Sequence, residues 1–206
     1  MTMQDNLAEI IKELLGPDLI HMEENQDMLV LETYAGSIIR ALTILRDHRK
    51  CHFKQLIDIC GVDYPEQPQR FVVVYHLLSL TYNARLRIKI RTDGVSPLLT
   101  STGVFPAANW YEREIWDLFG VTFSEHPDLR RILTDYNFEG HPLRKDFPLT
   151  GYIEVRYNEE EKRVAYEPIR LTQDYRSFDF LSPWEGMLPQ ESDPLPGDEK
   201  AESHHD

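Results

Sequence analysis

Between Asn109 and Gly120 the sequence reads NWYEREIWDLFG. Four ionised side chains, Glu112, Arg113, Glu114 and Asp117, are interleaved there with the aromatics Trp110, Tyr111, Trp116 and Phe119. Two carboxylates beside a guanidinium are the material of general acid–base catalysis. They are equally the material of a charged edge where two proteins meet. Spacing argues against the first reading. Pro106 suits the first turn of a helix, and Gly120 suits the residue just past its end. On that helix Glu112 and Glu114 point about 160° apart, so they do not converge on one bond. Tyr111, Ile115, Leu118 and Phe119 share a stripe that reads as the core face. Arg113, Glu114 and Asp117 fall opposite, with Arg113 and Asp117 as an ordinary i,i+4 surface pair worth about 0.2–0.5 kcal/mol. Glu112 stands at the edge of the apolar stripe, between Phe119 and Trp116. A carboxylate placed there needs a cation or a hydrogen-bond donor, or its pKa rises. Arg130 and Arg131, a short way downstream, are the expected in-chain partners. Two readings of the stretch stay open: a buried structural pair, or a contact with a partner protein.

Other candidate chemistry is sparse. His126-Pro127 and His141-Pro142 lack the i,i+4 or CxxC companions of a metal site, and read as hydrogen-bonded anchors. No GxGxxG follows a strand pattern, and there is no phosphate-binding Walker loop. No GxSxG or Cys/His nucleophile set is present. Cys51 and Cys60 cannot supply the usual four thiolates of an iron–sulfur cluster. They lack a CxxC spacing and fit a reduced compartment better than a disulfide scaffold. The expectation is a chain with no catalytic, metal or cofactor equipment of its own.

The elements that must position these residues fall into two parts. Up to about residue 120, helical and strand patterns alternate. Ile10, Ile11, Leu14 and Leu15 recur at helical spacing, and Gly16-Pro17 ends that helix. A strand is expected over Met28–Thr33 and a helix over Ile38–Arg46. Phe53–Cys60 reads as a strand closed by Gly61. Arg70–Leu80 (RFVVVYHLLSL) and Arg85–Arg91 (RLRIKIR) form the clearest hairpin, turned by Tyr82-Asn83-Ala84. In its second strand Leu86, Ile88 and Ile90 occupy one face and Arg85, Arg87, Lys89 and Arg91 the other. The cationic stripe reads as a solvated or subunit-facing surface rather than a phosphate site, because the whole chain is acidic. The fold class is α+β: a mainly antiparallel sheet with helices packed on it.

From Val121 to about residue 188 prolines recur while aromatics persist, and helical periodicity is poor. Disordered segments are usually short of aromatics. This segment is therefore expected to be a long irregular arm that buries them along a partner. From Pro189 to Asp206 the sequence reads as an acidic disordered tail.

The chain has 206 residues, is 41% hydrophobic and carries a formal charge of −13. That charge argues against nucleic acid as a partner. No window approaches the roughly 18 apolar residues of a membrane span. The first residues, MTMQDNLAEIIKELLG, look like neither a secretion signal nor a transit peptide.

Several of these blocks together resemble one family. Glu112-Arg113-Glu114, Asp117-Leu118-Phe119, His126, Arg130 and Ile132-Leu133 are similar to the signature of the 30-kilodalton subunit of respiratory complex I, the C component of bacterial NADH-quinone oxidoreductases. GVDYPE (61–66), RFVVVYHLLSL, HPDLRRILTDY (126–136), FEGHPLRKDFPL (138–149) and SPWE (182–185) extend the resemblance over roughly residues 7–185. The resemblance implies a non-catalytic core subunit in the peripheral arm of a proton-pumping NADH:quinone oxidoreductase. Its arm would wrap the large quinone-site subunit, with His141, Arg144 and Lys145 among the contacts. FMN and iron–sulfur clusters would belong to other subunits. Membrane association would be indirect, on the cytoplasmic face of a bacterial inner membrane or the matrix side of a mitochondrial one. The alternatives are the equivalent subunit of a related membrane-bound hydrogenase or ferredoxin-driven dehydrogenase, and a free-standing acid–base enzyme.

Overall fold

The structure, a computed structural model, describes residues 3–25 and 28–173. The chain divides into two compact units, Met1–Ile153 and Glu154–Asp206. The first unit therefore continues well past the boundary expected at residue 120. The expected acidic tail, the SPWE block and the last part of the expected arm lie outside the described residues.

Helix α1 (Met3–Leu15) ends where the sequence indicates, at Gly16, whose positive φ no β-carbon opposes. Strand β1 (Leu19–Asn25) follows, announced by no sequence pattern, and pairs antiparallel with β2 (Met28–Thr33). Helix α2 (Ile38–Asp47) then leads to β3 (Gln55–Asp63). Strands β4 (Phe71–Ser79) and β5 (Ala84–Thr92) form the expected hairpin, with Asn83 in the left-handed region at the turn. The five strands lie in the order β1-β2-β5-β4-β3, antiparallel except where β2 runs parallel to β5. This is the α+β architecture read from the sequence.

Alternation explains which face is covered. Leu86, Ile88 and Ile90 of β5, with Val73, Tyr75 and Leu77 of β4, enter one core with Ile11 and Leu15 of α1 and Leu42 and Leu45 of α2. Removing each such side chain from water is worth about 1.5–3 kcal/mol. Gly61 does not close β3, as expected, but lies inside it. A β-carbon there would stand 2.7 Å from the Phe119 ring, so glycine is what lets the next helix approach this edge strand.

That helix is α3 (Ala108–Phe119), capped by Gly120 at φ 77°. Two short strands, β6 (Leu98–Leu99) and β7 (Phe123–Ser124), pair in parallel and tie together the segments that enter and leave it. Strand β8 (Ile153–Asn158), which starts at the last residue of the first unit, and β9 (Arg163–Pro168) make a separate two-stranded sheet.

Candidate functional site

Helix α3 is the centre of the chemistry, and it is buried on both sides. One side meets the core through Ile115 and Phe119. The other is covered by the irregular segment that follows β7. Its charged residues are committed to these surroundings.

Glu112 is fully buried, and no arginine reaches it among the described residues. Its Oε1 accepts from the Ser101 amide at 2.7 Å and the Ser101 hydroxyl at 2.6 Å. Its Oε2 accepts from the Thr100 hydroxyl at 2.5 Å. His126 Nε2 lies 3.9 Å away. The expected pairing with Arg130 or Arg131 is thus replaced by donors from the loop before the helix. The physical reason is position: Glu112 faces that loop, whereas Arg131 is drawn to Asp117 a turn further along α3. The negative charge is felt by Tyr75 at the middle of the sheet, whose hydroxyl pKa is raised by burial first and by Glu112 second.

Asp117 and Arg113 are buried too, which corrects their assignment to an exposed i,i+4 pair. Asp117 Oδ2 accepts from the amides of Ile132 (3.0 Å), Leu133 (2.8 Å) and Thr134 (3.0 Å). Its Oδ1 accepts from Arg131 Nη1 at 2.8 Å and from the Thr134 hydroxyl. Burial alone would raise this carboxyl. The Thr134 hydroxyl and the three amides outweigh burial and hold it well below the usual carboxylate range. Arg113 points at the same segment, donating to the carbonyls of Arg130 (3.1 Å) and Arg131 (3.0 Å), with its guanidinium 5.0 Å from the Trp110 ring centre. Arg130 itself is an exposed partner of Asp128, at 2.7 Å.

The two histidines hold backbone. His126 Nε2 donates to the Asn109 carbonyl at 3.1 Å, while its Nδ1 accepts from the Asp128 amide at 3.1 Å. His141 Nδ1 donates to the Asp117 carbonyl at 2.8 Å, and burial pushes its pKa down. Glu114 is half-buried toward β3. Burial is the main cause raising the Cys60 thiol, with the charges of Asp58 and Glu114 adding to it. Glu112 and Glu114 diverge, as helical spacing requires.

The segment carrying Arg144 and Lys145 is also fastened to its own domain. Arg144 Nε donates to the Phe119 carbonyl at 2.6 Å, and its guanidinium lies 5.2 Å from the Phe71 ring centre. The Lys145 amide donates to Asp63 Oδ2 at 2.7 Å, while the residue as a whole stays exposed. Arg70 holds Asp63 through Nε at 2.6 Å and Nη2 at 2.7 Å, and reaches Asp146 at 2.6 Å. The rings of Phe138 and Phe147 pack on each other, with centres 5.8 Å apart. Residues 126–147 are therefore fastened to their own domain by these bonds, while more than half of them stay exposed, Leu133, Tyr136 and Leu143 among them. Thr100, Ser101, Asp63, Arg70 and Thr134 escape a reading of the sequence, since each acts across a gap that no local pattern reports.

The arrangement holds charges rather than exposing them. A catalytic pair needs a reachable face, and Glu112 and Asp117 have none. Among the described residues no group of three His, Cys, Asp or Glu could hold a metal ion. Cys51 is a buried free thiol pushed up to about 11 by burial, too high for a nucleophile near neutral pH. Among the described residues no helix is long and apolar enough to cross a membrane.

The family described as respiratory-chain NADH dehydrogenase, 30 Kd subunit, matches residues 31–153. The chain belongs to this family. The match begins in β2 and ends at the residue that closes the first compact unit. Relatives in the family are similar over nearly their whole length. The C component of the NADH-quinone oxidoreductase of Paramagnetospirillum magneticum is 58% identical over 95% of this chain and 96% of its own. That of Rhodospirillum rubrum is 57% identical over 96% and 93%. A chain of the membrane-bound sulfane sulfur reductase, an archaeal respiratory membrane complex, has a similar structure. Its TM-score is 0.63 and its identity 26%, over 72% of this chain and 87% of that one.

Proposed function

We propose that this chain is the non-catalytic 30-kilodalton core subunit of a proton-translocating NADH:quinone oxidoreductase. It scaffolds the quinone-site module while electrons pass from NADH to quinone through cofactors carried by other subunits. Family membership supports its place as a subunit of that complex. The reading that it works as a scaffold rests on one observation: Glu112, Arg113 and Asp117 of the α3 signature are all spent on holding the chain's own backbone. The likeness to the archaeal reductase favours a module shared among respiratory membrane complexes. The much higher identity to the NADH-quinone oxidoreductase sequences favours the NADH-linked complex over the related ones.

The contact with the large quinone-site subunit is assigned to the second unit. Two-stranded sheets are marginal in water without further cover. In β8 and β9, Val155, Tyr157 and Val164 are each more than half exposed. A partner surface laid over them supplies the missing cover. The first unit, by contrast, has its own core. FMN and iron–sulfur clusters belong to the partner subunits, and the complex sits on the cytoplasmic face of the membrane through its other subunits.

Hydrogen exchange on the free chain and on the purified complex tests this. Residues 126–147 are expected to be protected in both states, and residues 153–168 to gain protection only on assembly. A hairpin equally protected in both, or stoichiometric iron or flavin in the pure chain, would overturn the reading.

A further inference from the structure

The outer face of the sheet carries the cationic stripe of β5, and its four members are treated unequally. Lys89 Nζ lies 3.5 Å from Glu23, and Arg91 Nε lies 2.6 Å from Glu32. Those carboxylates come from β1 and β2. Arg87 stands opposite Val30 on β2 and His76 on β4, so the neighbouring strands offer it no carboxylate. Among the described residues neither Arg85 nor Arg87 is in an ion pair. Arg87 Nε is shielded from solvent and has no hydrogen-bond acceptor. A guanidinium N–H deprived of both water and an acceptor is a rare and costly arrangement.

Arg85 and Arg87 also line a cavity of about 350 Å³, with His76, Asp58, Met28 and Ile57. Burial, then the charge of Arg87, lowers the His76 pKa, against the opposing charge of Asp58. Asp58 sits across β4 from Arg87, on β3, and is in no ion pair with it. The cavity thus offers two guanidinium forks against one carboxylate, Asp58, beside the apolar side chains of Met28 and Ile57. Such forks match a carboxylate in a two-bond geometry, and the apolar wall suits the methylenes of the side chain carrying it.

We infer that this cavity receives an aspartate or glutamate side chain from a neighbouring subunit of the complex. The site completes the cationic stripe from outside, as Glu23 and Glu32 complete it from within. It rests on the reading of the chain as a subunit of that complex.

Zero-length coupling tests it on the purified complex. A carbodiimide activates a carboxylate, and a lysine amine in contact displaces the urea to leave an amide. Arg85→Lys and Arg87→Lys each place an amine in the cavity. Peptide mapping is expected to find an amide joining position 85 or 87 to an acidic residue of another subunit, absent from the isolated variant. Native Lys89, coupling to Glu23, is the control in the same sample. Coupling only to Asp58, or none while the control couples, would overturn the inference, as would full protection of the site by inorganic phosphate alone. The double variant Arg85→Gln/Arg87→Gln is expected to lower the amount of assembled complex at least tenfold, with the free chain still folded by circular dichroism. Normal assembly of that variant would also overturn it. If the wild-type chain is absent from the purified complex, the proposed function fails and this inference with it. If the chain is present without coupling, only this inference fails.

Discussion

Arg131 Nη1 lies 2.8 Å from Asp117 Oδ1, joining the last turn of α3 to the segment that covers it. The carboxylate has no exposed side-chain surface, whereas the arginine keeps a little. Three consecutive backbone amides complete its shell.

Replacing Asp117 by alanine strands these donors. The expected loss is about 3–5 kcal/mol, the usual cost of removing one partner of a buried pair. Asp117→Asn keeps one acceptor and should cost less, about 2 kcal/mol. Denaturant melts of the two variants beside the wild type check the ranking.

The same carboxylate sets an acid limb. Its folded pKa is depressed below the unfolded value of about 3.9. The stabilisation is therefore complete above the unfolded value and is lost as pH falls through the folded one. Asp63, lowered chiefly by its bond to Arg70, contributes with the same sign. Stability should drop as pH falls below about 4. Asp117→Asn should flatten that drop while leaving a smaller one from Asp63. An unchanged slope would contradict the assignment.

Glu112 should discriminate between shape and charge. Glutamine preserves an acceptor for Ser101, and the Thr100 hydroxyl can rotate to accept from the new amide. Alanine leaves all three donors unmet and opens a hole under the sheet. Glu112→Ala is expected to cost about 3 kcal/mol or more, and Glu112→Gln about 1 kcal/mol. At roughly 2–4 °C per kcal/mol for a chain of this size, calorimetry separates the two.

Gly120 is required twice over. Its φ of 77° disfavours any side chain, and a β-carbon would run into Arg144 Nη2 and stand 2.6 Å from the His141 ring. Gly120→Ala should cost about 1–2 kcal/mol. It should also speed hydrogen exchange at Leu143, whose amide donates to the Leu118 carbonyl. Normal exchange at that amide would show the segment to be held by other means.

Much of the sheet was legible because alternation is a local signal. RLRIKIR declares its two faces, and the structure buries Leu86, Ile88 and Ile90 as that pattern requires. Strand β1 gave no such signal: LIHMEEN lies at a sheet edge with most side chains exposed, so nothing forces its residues to alternate. Helix α3 was legible in extent, from the proline and glycine at its ends. Its second buried face was not. A helical wheel ranks faces by apolarity, and here the covering layer is held by polar bonds. Arg113 and Asp117 look solvent-facing for the same reason that they bind backbone. The reach from Asp63 to Lys145 spans much of the domain's length in sequence and has no short-range trace.

Many of the bonds that fasten residues 126–147 share one property: they address the main chain. Asp117 takes the amides of Ile132, Leu133 and Thr134. Arg113 takes the carbonyls of Arg130 and Arg131, and Asp63 takes the amide of Lys145. None of these bonds depends on what the outward side chains of that segment are. Leu133, Tyr136 and Leu143 all point to solvent from a path fixed without them. The segment therefore separates route from lettering. Its outer positions are free to be rewritten by drift or by design, with the loop still arriving at the same place.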